Sequence, residues 1–287
     1  MIKSIIDSDP ETSESLVLGI PFGAGVSFGT GTENGPAAIK EILDSQVELF
    51  DRYTKRETCY EHTIGYEEVK VTPEVDAKSM CAAVTDQLAG REQFVLGLGG
   101  THIVTLPILE HYATRHDPQA VTVVQLDAHL DLRNDDSEYS DETPDTLAHS
   151  TVMRRVHELG YNILPVGIRT YAKEEYEYAS DNEIDFVEAS RFDKPVPAME
   201  EIVNRITTDA VYITCDIDAL DPGIAPGTGT PVPGGLTIEF VEHLIHRIAQ
   251  RKTIIGADIV EVAPLANNPI TEYTAGQIAY HILSQTL

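Results

Sequence analysis

Residues 121–126, Val-Thr-Val-Val-Gln-Leu, form a β-branched run that gives way at once to polar residues. A nearly continuous apolar run of this length reads as a strand buried on both faces of a parallel sheet. Residues 211–215, Val-Tyr-Ile-Thr-Cys, repeat the pattern, and strands are also predicted at 15–20, 93–98, 162–168, 184–187 and 253–260. Between them the pattern turns helical over 37–49, 74–89, 103–116, 150–159, 199–208, 237–251 and 271–286. Pro36 and Pro107 sit where the first turn of a helix accepts proline. Strands and helices alternate along the whole length, with no linker-like break and no internal repeat. One α/β domain over 1–287 is predicted, a three-layer α/β/α sandwich on a mostly parallel sheet.

Ligands of such sheets bind beyond the carboxyl ends of the strands, so the residues ending each strand carry the interest. The 121–126 strand ends in Asp127-Ala128-His129-Leu130-Asp131. Side chains at i, i+2 and i+4 point the same way while the chain stays extended. Two carboxylates and an imidazole with no Lys or Arg among them leave negative charge uncompensated unless a cation binds. Taken alone, this pattern is equally a polar loop after a strand. The 211–215 strand, however, ends in Asp216-Ile217-Asp218, and two strands ending in clustered carboxylates point to one metal site. The 93–98 strand runs into Gly99-Gly100-Thr101-His102, a third strand end with a metal-compatible side chain, although a lone histidine there is also a common structural hydrogen-bonder. Glycines at 23, 25, 29, 31 and 35 suggest a phosphate loop only superficially, since no Gly-Lys-Ser/Thr and no Gly-x-Gly-x-x-Gly opens a helix.

Charge narrows the partners. Lys and Arg number 20 against 47 Asp and Glu, a net charge of −27. Nucleic acid and anionic membranes require a basic face and are excluded as expected partners. With 42% hydrophobic residues the chain is expected to fold rather than stay disordered. The acid is dispersed, as at Glu11 to Glu14, Glu174 to Glu177 and Glu183 to Glu188, in the manner of proteins from salt-loving organisms. The fold is therefore expected to loosen as screening weakens. Equal thermal stability in ~0.05 M and ~2 M KCl would count against this halophilic reading. The loop 132–147 holds Asp135, Asp136, Glu138, Asp141, Glu142 and Asp145 and is read either as solvated or as attracting a cationic substrate. Three cysteines, Cys59, Cys81 and Cys215, without framework spacing suggest reduced thiols and a cytoplasmic location. No signal-like segment opens the chain, and no apolar run reaches membrane-spanning length.

Gly99-Gly100-Thr101-His102, Asp127-Ala128-His129-Leu130-Asp131, Cys215-Asp216-Ile217-Asp218-Ala219-Leu220-Asp221-Pro222 with Ala225 to Pro231, and Asp258-Ile259-Val260-Glu261 occur in that order. Together they resemble the ureohydrolase (arginase/agmatinase) family over nearly the whole chain. The resemblance implies an eight-stranded parallel sheet and a binuclear manganese site with two Mn²⁺ per chain. His102, Asp127, Asp131 and Asp216 would surround one ion, and His129, Asp127, Asp216 and Asp218 the other. Asp127 and Asp216 would bridge. Two divalent ions balance four carboxylates, and mixed oxygen and nitrogen ligation suits Mn²⁺ better than zinc or magnesium. A pair of ions ~3.5–4 Å apart brings a shared water close to ionisation at neutral pH, and a guanidinium carbon is the natural electrophile.

The resemblance further implies that Glu261 pairs with the guanidinium and that His149 carries a proton. The plainer readings are a carboxylate neighbouring the ligands and a surface-loop histidine. Asp131-Leu132-Arg133-Asn134 and Ala148-His149-Ser150-Thr151-Val152-Met153-Arg154-Arg155 look most like agmatinases, especially archaeal-type ones. The chain departs from the family pattern at Thr101 (usually Asp), at Ile103 (usually small and polar) and at Gly29-Thr30-Gly31-Thr32-Glu33. The expected reaction is agmatine to putrescine and urea. Aminopropylagmatine to spermidine and urea is the neighbouring alternative. A guanidino acid or formimidoylglutamate would need a cationic clamp, for which Arg133 and Arg169 are the candidates. A catalytically silent metal-binding regulator would suit the departures but has no need of His149 and Glu261. A small cationic guanidino substrate and a homo-oligomer, trimer or hexamer, complete what the resemblance implies.

Overall fold

The computed structural model describes residues 4–25, 28–71, 75–137, 144–189 and 197–287. Eight strands, β1 (Ser15–Ile20), β2 (Ile64–Glu68), β3 (Phe94–Gly99), β4 (Val121–Leu126), β5 (Asn162–Ile168), β6 (Val187–Glu188), β7 (Ala210–Asp216) and β8 (Thr253–Val260), form one sheet. Its order is β2-β1-β3-β8-β7-β4-β5-β6. Every pairing is parallel, so the predicted mostly parallel sheet is wholly so.

Helices cover both faces. On one side lie α1 (Gly35–Ser45), α7 (Met199–Asn204), α8 (Ile238–Ala249) and α9 (Ile270–Thr286); on the other lie α3 (Ala77–Leu88), α4 (Thr105–Ala113), α5 (Val152–Glu158) and α6 (Lys173–Asp181). A short helix, α2 (Thr58–Glu61), precedes β2. The apolar run of β4 is explained by this layering: Val121 and Val123 face one core, Val124 and Leu126 the other. In α8, Val241, Leu244, Ile245 and Ile248 make the inward stripe, each side chain stabilising the packing by about 2 kcal/mol. Thr237 caps that helix by accepting from the Phe240 N–H at 3.2 Å. Among the described residues, no helix is long and apolar enough to cross a membrane.

The structure differs from the sequence reading at the margins. β2 is an edge strand whose second half, Tyr66-Glu67-Glu68, carries too little apolar character to signal itself. α6 buries only Glu175 and Ala179, so its polar sequence has no stripe to find. The 74–89 helix starts at Ala77, where Asp76 caps by accepting from the Ser79 N–H at 2.7 Å. The 103–116 helix resolves into a tight turn, His102–Val104, followed by α4. Of the 184–187 strand only Val187 is extended in the sheet, together with Glu188 in the two-residue edge strand β6. Glu138, Asp141 and Glu142 of the acidic loop lie outside the described residues.

The topology locates a crevice. After β3 the chain skips two places to lay down β4, and β8 and β7 later fill the gap. Ligand sites form where strand order breaks in this way, and the four strands concerned are those ending in His102, Asp127, Asp216 and Glu261.

Remote from this crevice, Asp51 ties the loop after α1 to α9. Its Oδ2 lies 2.8 Å from His281 Nδ1, and its Oδ1 accepts from the Tyr53 and Thr54 N–H groups at 2.9 and 2.7 Å. Burial alone would raise this carboxyl, but the imidazole and the two amides outweigh it and hold the pKa at about 2. A depressed carboxylate pKa stabilises the fold above its unfolded value and loses that contribution as pH falls through the folded one. A tenfold change in proton affinity corresponds to ~1.36 kcal/mol. Asp51→Asn is therefore expected to lose about 2 kcal/mol near pH 7, and progressively less towards pH 2. Urea unfolding of both forms at neutral and acidic pH checks this, and a pH-independent difference would contradict it.

Candidate metal centre

Four strand ends converge. β3 delivers His102 through Gly100, where a Cβ atom would sit 1.9 Å from the Phe22 carbonyl oxygen, so only glycine allows the backbones to touch. β4 delivers Asp127, His129 and Asp131, β7 delivers Asp216 and Asp218, and β8 delivers Glu261. The extended 127–131 segment of the sequence reading is not what forms. The chain bends at 128 and 129, and Asp131 adopts a left-handed φ of 54°. This curl lets Asp127 look both ways. Its Oδ2 lies 3.3 Å from His102 Nδ1, and its Oδ1 lies 3.5 Å from His129 Nδ1.

Two overlapping clusters result, His102 with Asp127 and Asp131, and His129 with Asp127 and Asp218. In the first, His102 Nδ1 stands 3.0 Å from Asp131 Oδ2 and 3.6 Å from Asp216 Oδ2. In the second, His129 Nδ1 stands 3.0 Å from Asp218 Oδ2. One oxygen of each of three carboxylates is anchored by the backbone: Asp127 Oδ1 accepts from His129 N–H at 2.6 Å, Asp216 Oδ1 from Asp218 N–H at 2.8 Å, and Asp218 Oδ1 from Ala128 N–H at 3.0 Å. The decisive observation for a cation is His102 Nδ1. It is fully buried, faces three carboxylates, and has hydrogen-bond geometry to none. A bare imidazole nitrogen among carboxylate oxygens fits a divalent ion in both type and number of donors.

Charge supports the same conclusion. Burial would raise Asp127, but the His102 and His129 imidazoles hold it well below the usual carboxylate range. Asp131 is pushed up to about 7 by burial and by Asp127, and Asp216 well above its usual value by burial and by Asp218, Asp127 and Glu261. These carboxylates cannot all stay ionised on two imidazoles alone. Two divalent cations would resolve the conflict, and their uptake would release protons.

A cavity of about 610 Å³ opens above the clusters, with His129, Asp131 and Asp216 in its floor and His149 in its wall. Glu261 is 3% exposed, and its Oε1 lies 3.9 Å from His149 Nδ1. Its backbone is held at a left-handed φ of 62°, its N–H donates to the Gly100 carbonyl at 2.8 Å, and its Oε1 accepts from the His102 N–H at 2.7 Å. A non-glycine residue in that region costs about 1 kcal/mol or more and persists where surroundings over-determine it. Burial pushes the Glu261 carboxyl up to about 8. Burial, with the neighbouring His129 and His102 contributing, lowers His149 to about 4, so at neutral pH its imidazole carries no charge.

Other residues take unexpected places. Arg169 is no carboxylate clamp: its guanidinium donates to the backbone carbonyls of Val232, Gly167, Asp218, Ala219 and Leu220, bracing the loop that carries Asp218. Arg133 does line the cavity and lies 3.6 Å from Glu174 Oε1. Glu175, part of the dispersed acid in the sequence, is buried in the cavity wall, accepting from the Leu132 and Ala172 N–H groups at 3.0 and 2.6 Å. Gln125 was also missed. It donates to Asp127 Oδ2 at 2.8 Å from within β4, and a polar residue inside an apolar strand was the available signal. The departures have local partners. Thr101 Oγ1 donates to the Ala24 carbonyl at 3.3 Å, Ile103 is buried in one core, and Glu33 packs where a Cβ on Gly23 would meet it.

Comparison with known proteins adds independent information. The arginase family profile matches residues 13–284. The N(1)-aminopropylagmatine ureohydrolase of Synechocystis is 32% identical, with 98% of this chain and 93% of that protein aligned. The agmatinase of Bacillus subtilis is also 32% identical, over 98% of this chain and 95% of its own. Among solved structures, proclavaminate amidino hydrolase from Streptomyces clavuligerus superposes with a TM-score of 0.86 at 25% identity, covering 100% of this chain and 97% of that one.

Proposed function

The chain belongs to the arginase family, and from that premise we propose that it hydrolyses agmatine to putrescine and urea with two manganese ions bound. The observation that carries the reading is the pair of His/Asp clusters sharing Asp127 beneath a cavity, with Glu261 and His149 beside them and outside the ligand set. His102, Asp127, Asp131 and Asp216 would hold one ion, and His129, Asp127, Asp216 and Asp218 the other. When bound, the pair supplies a water of lowered pKa and positive charge where negative charge develops.

The protein's own groups supply the rest. Glu261 offers carboxylate oxygens to the planar guanidinium fork, fixing the carbon over the cluster. Cation binding favours the ionised form of a carboxyl whose burial otherwise favours protonation. As water adds to the guanidinium carbon and the C–N bond to the alkyl amine breaks, the amine must gain a proton. Neutral His149, in the cavity wall, is placed to pass it from the attacking water to the leaving nitrogen. Atoms and charge balance: guanidinium and water give urea and an alkylammonium.

An amine-bearing tail fits the cavity wall better than a carboxylate. Arg133 sits near Glu174, Glu175 is close at hand, and Arg169 is committed to backbone carbonyls. The identity to an aminopropylagmatine ureohydrolase keeps the longer amine, giving spermidine and urea, as the second reading. Urea release from agmatine, aminopropylagmatine, arginine, a guanidino acid and formimidoylglutamate, with and without Mn²⁺, tests the proposal. Turnover of the acids and not of the amines would overturn the substrate assignment. Residues 1–287 acting as one domain, a homo-oligomeric assembly and a cytoplasmic location belong to the same proposal, the last supported by Cys59, Cys81 and Cys215, none of which is in a disulfide.

A further inference from the structure

We infer that Asp258, acting through Thr214, is a positioning residue that fixes the ring of His102 with its Nδ1 lone pair facing the carboxylate cluster. Asp258 lies on β8 in direct register with Thr214 on β7, and Tyr212 sits two residues before Thr214 on the same face. All three are fully buried. Asp258 Oδ1 accepts from Thr214 Oγ1 at 2.7 Å, and its Oδ2 accepts from the Tyr212 hydroxyl at 2.6 Å.

The carboxylate sets the direction of each hydrogen bond in the chain. The Thr214 hydroxyl donates to Asp258 Oδ1, its shorter contact at 2.7 Å, and a hydroxyl has a single hydrogen to give. The Thr214 oxygen can then only accept, and His102 Nε2 stands 2.9 Å from it. Nε2 must therefore carry a hydrogen. With Nε2 so engaged, Nδ1 is the ring nitrogen left for a ligand, and it is the buried atom that faces Asp131, Asp127 and Asp216 without hydrogen-bond geometry to any of them. Thr105 Oγ1, 3.3 Å from Thr214 Oγ1, can donate to the same oxygen and discourages the hydroxyl from turning. Were that hydroxyl to donate to Nε2 instead, an N–H at Nδ1 would point into the cluster and exclude a cation.

A carboxylate in the middle of a sheet is costly to bury, and its bonded partners here are hydroxyls rather than a cationic side chain. Packing alone has no use for it. Orienting a metal-binding imidazole does, because the group opposite the ligating nitrogen selects the tautomer. The relay ends on His102 and so serves one of the two clusters, while His129 belongs to the other.

The inference rests on the two-metal reading, and Mn²⁺ titration of the full chain, followed by calorimetry and by electron paramagnetic resonance, tests both. Thr214→Val and Asp258→Asn should weaken one of the two ions by about 10–100-fold, replacing the coupled two-ion signal with that of a single ion at limiting Mn²⁺. Thr214→Ser keeps the hydroxyl and should bind both ions as the wild type does. Wild-type affinity for both ions in Thr214→Val overturns the inference, as does equal weakening of both ions that Thr214→Ser fails to rescue. Thermal unfolding reports whether each variant folds. If Asp258→Asn does not, the Thr214 pair decides. A wild type that binds no Mn²⁺ removes the metal reading and this inference with it, whereas two ions bound alike in wild type and variants removes the inference alone.

Discussion

Asp127→Ala should lower kcat/KM by roughly 10³-fold or more. Metal assistance is worth several kcal/mol, and ~1.36 kcal/mol corresponds to a decade in rate. Asp127 is the residue through which the two clusters touch, one oxygen towards His102 and the other towards His129. Its removal takes a donor from both at once and frees the Gln125 amide and the His129 N–H that hold it. Asp216→Asn should be as damaging to activity but different in stability. The Asp216 carboxyl is buried against Asp218, Asp127 and Glu261, a like-charge environment that pushes its pKa well up. Neutralising it relieves that conflict, so the protein stripped of metal should melt at the same temperature or higher. Metal analysis under saturating Mn²⁺, steady-state kinetics and melting of stripped protein separate the two effects. Two ions bound and near-normal rates in either variant would rule out a shared bridging role.

Glu261→Gln should keep both ions and lose about 10²-fold or more in rate, because the guanidinium carbon would no longer be held in place. Glutamine preserves the shape, and one side-chain oxygen can still accept from the His102 N–H. What it lacks is the negative charge and the second acceptor that make a carboxylate an orienting partner for a planar fork. His149→Asn should lower kcat by roughly 10²–10⁴-fold with little change in KM, as expected of a proton carrier that does not hold substrate. The two side chains lie 3.9 Å apart, so the split between KM and kcat distinguishes them where proximity does not. Near-full activity in Glu261→Gln would mean that the substrate is not a guanidino compound.

How much of this was legible in the chain differs residue by residue. Asp127 and Asp216 were readable because each follows directly on an apolar run, and His102, His129, Asp131 and Asp218 because they stand within a few residues of a strand end, while their grouping around two ions came from the family resemblance. The structure brings these six together, along with Glu261 and His149. Glu175 was not readable: it sits among Glu174 and Glu177 on a helix without an apolar stripe, and its burial comes from the Leu132 and Ala172 amides it meets. Arg169 pointed the wrong way. A cation at a strand end looks like a ligand for an anionic substrate, and only the carbonyls around it show it to be a brace.

The sequence by itself determined the alternation of strands and helices, the two-sided burial of the central strands and the residues standing at their ends. These follow from periodicities of a few residues, which local sequence carries in full. Tertiary structure alone decided that β8 and β7 insert between β3 and β4, and therefore that His102 meets Asp127 and Asp216. It also decided the bend that lets Asp127 face both imidazoles, and the contacts His102 to Thr214 and His102 to Glu261, made across 112 and 159 residues of chain. Strand order and side-chain partnership depend on which distant segments pack together, and no local pattern encodes that choice.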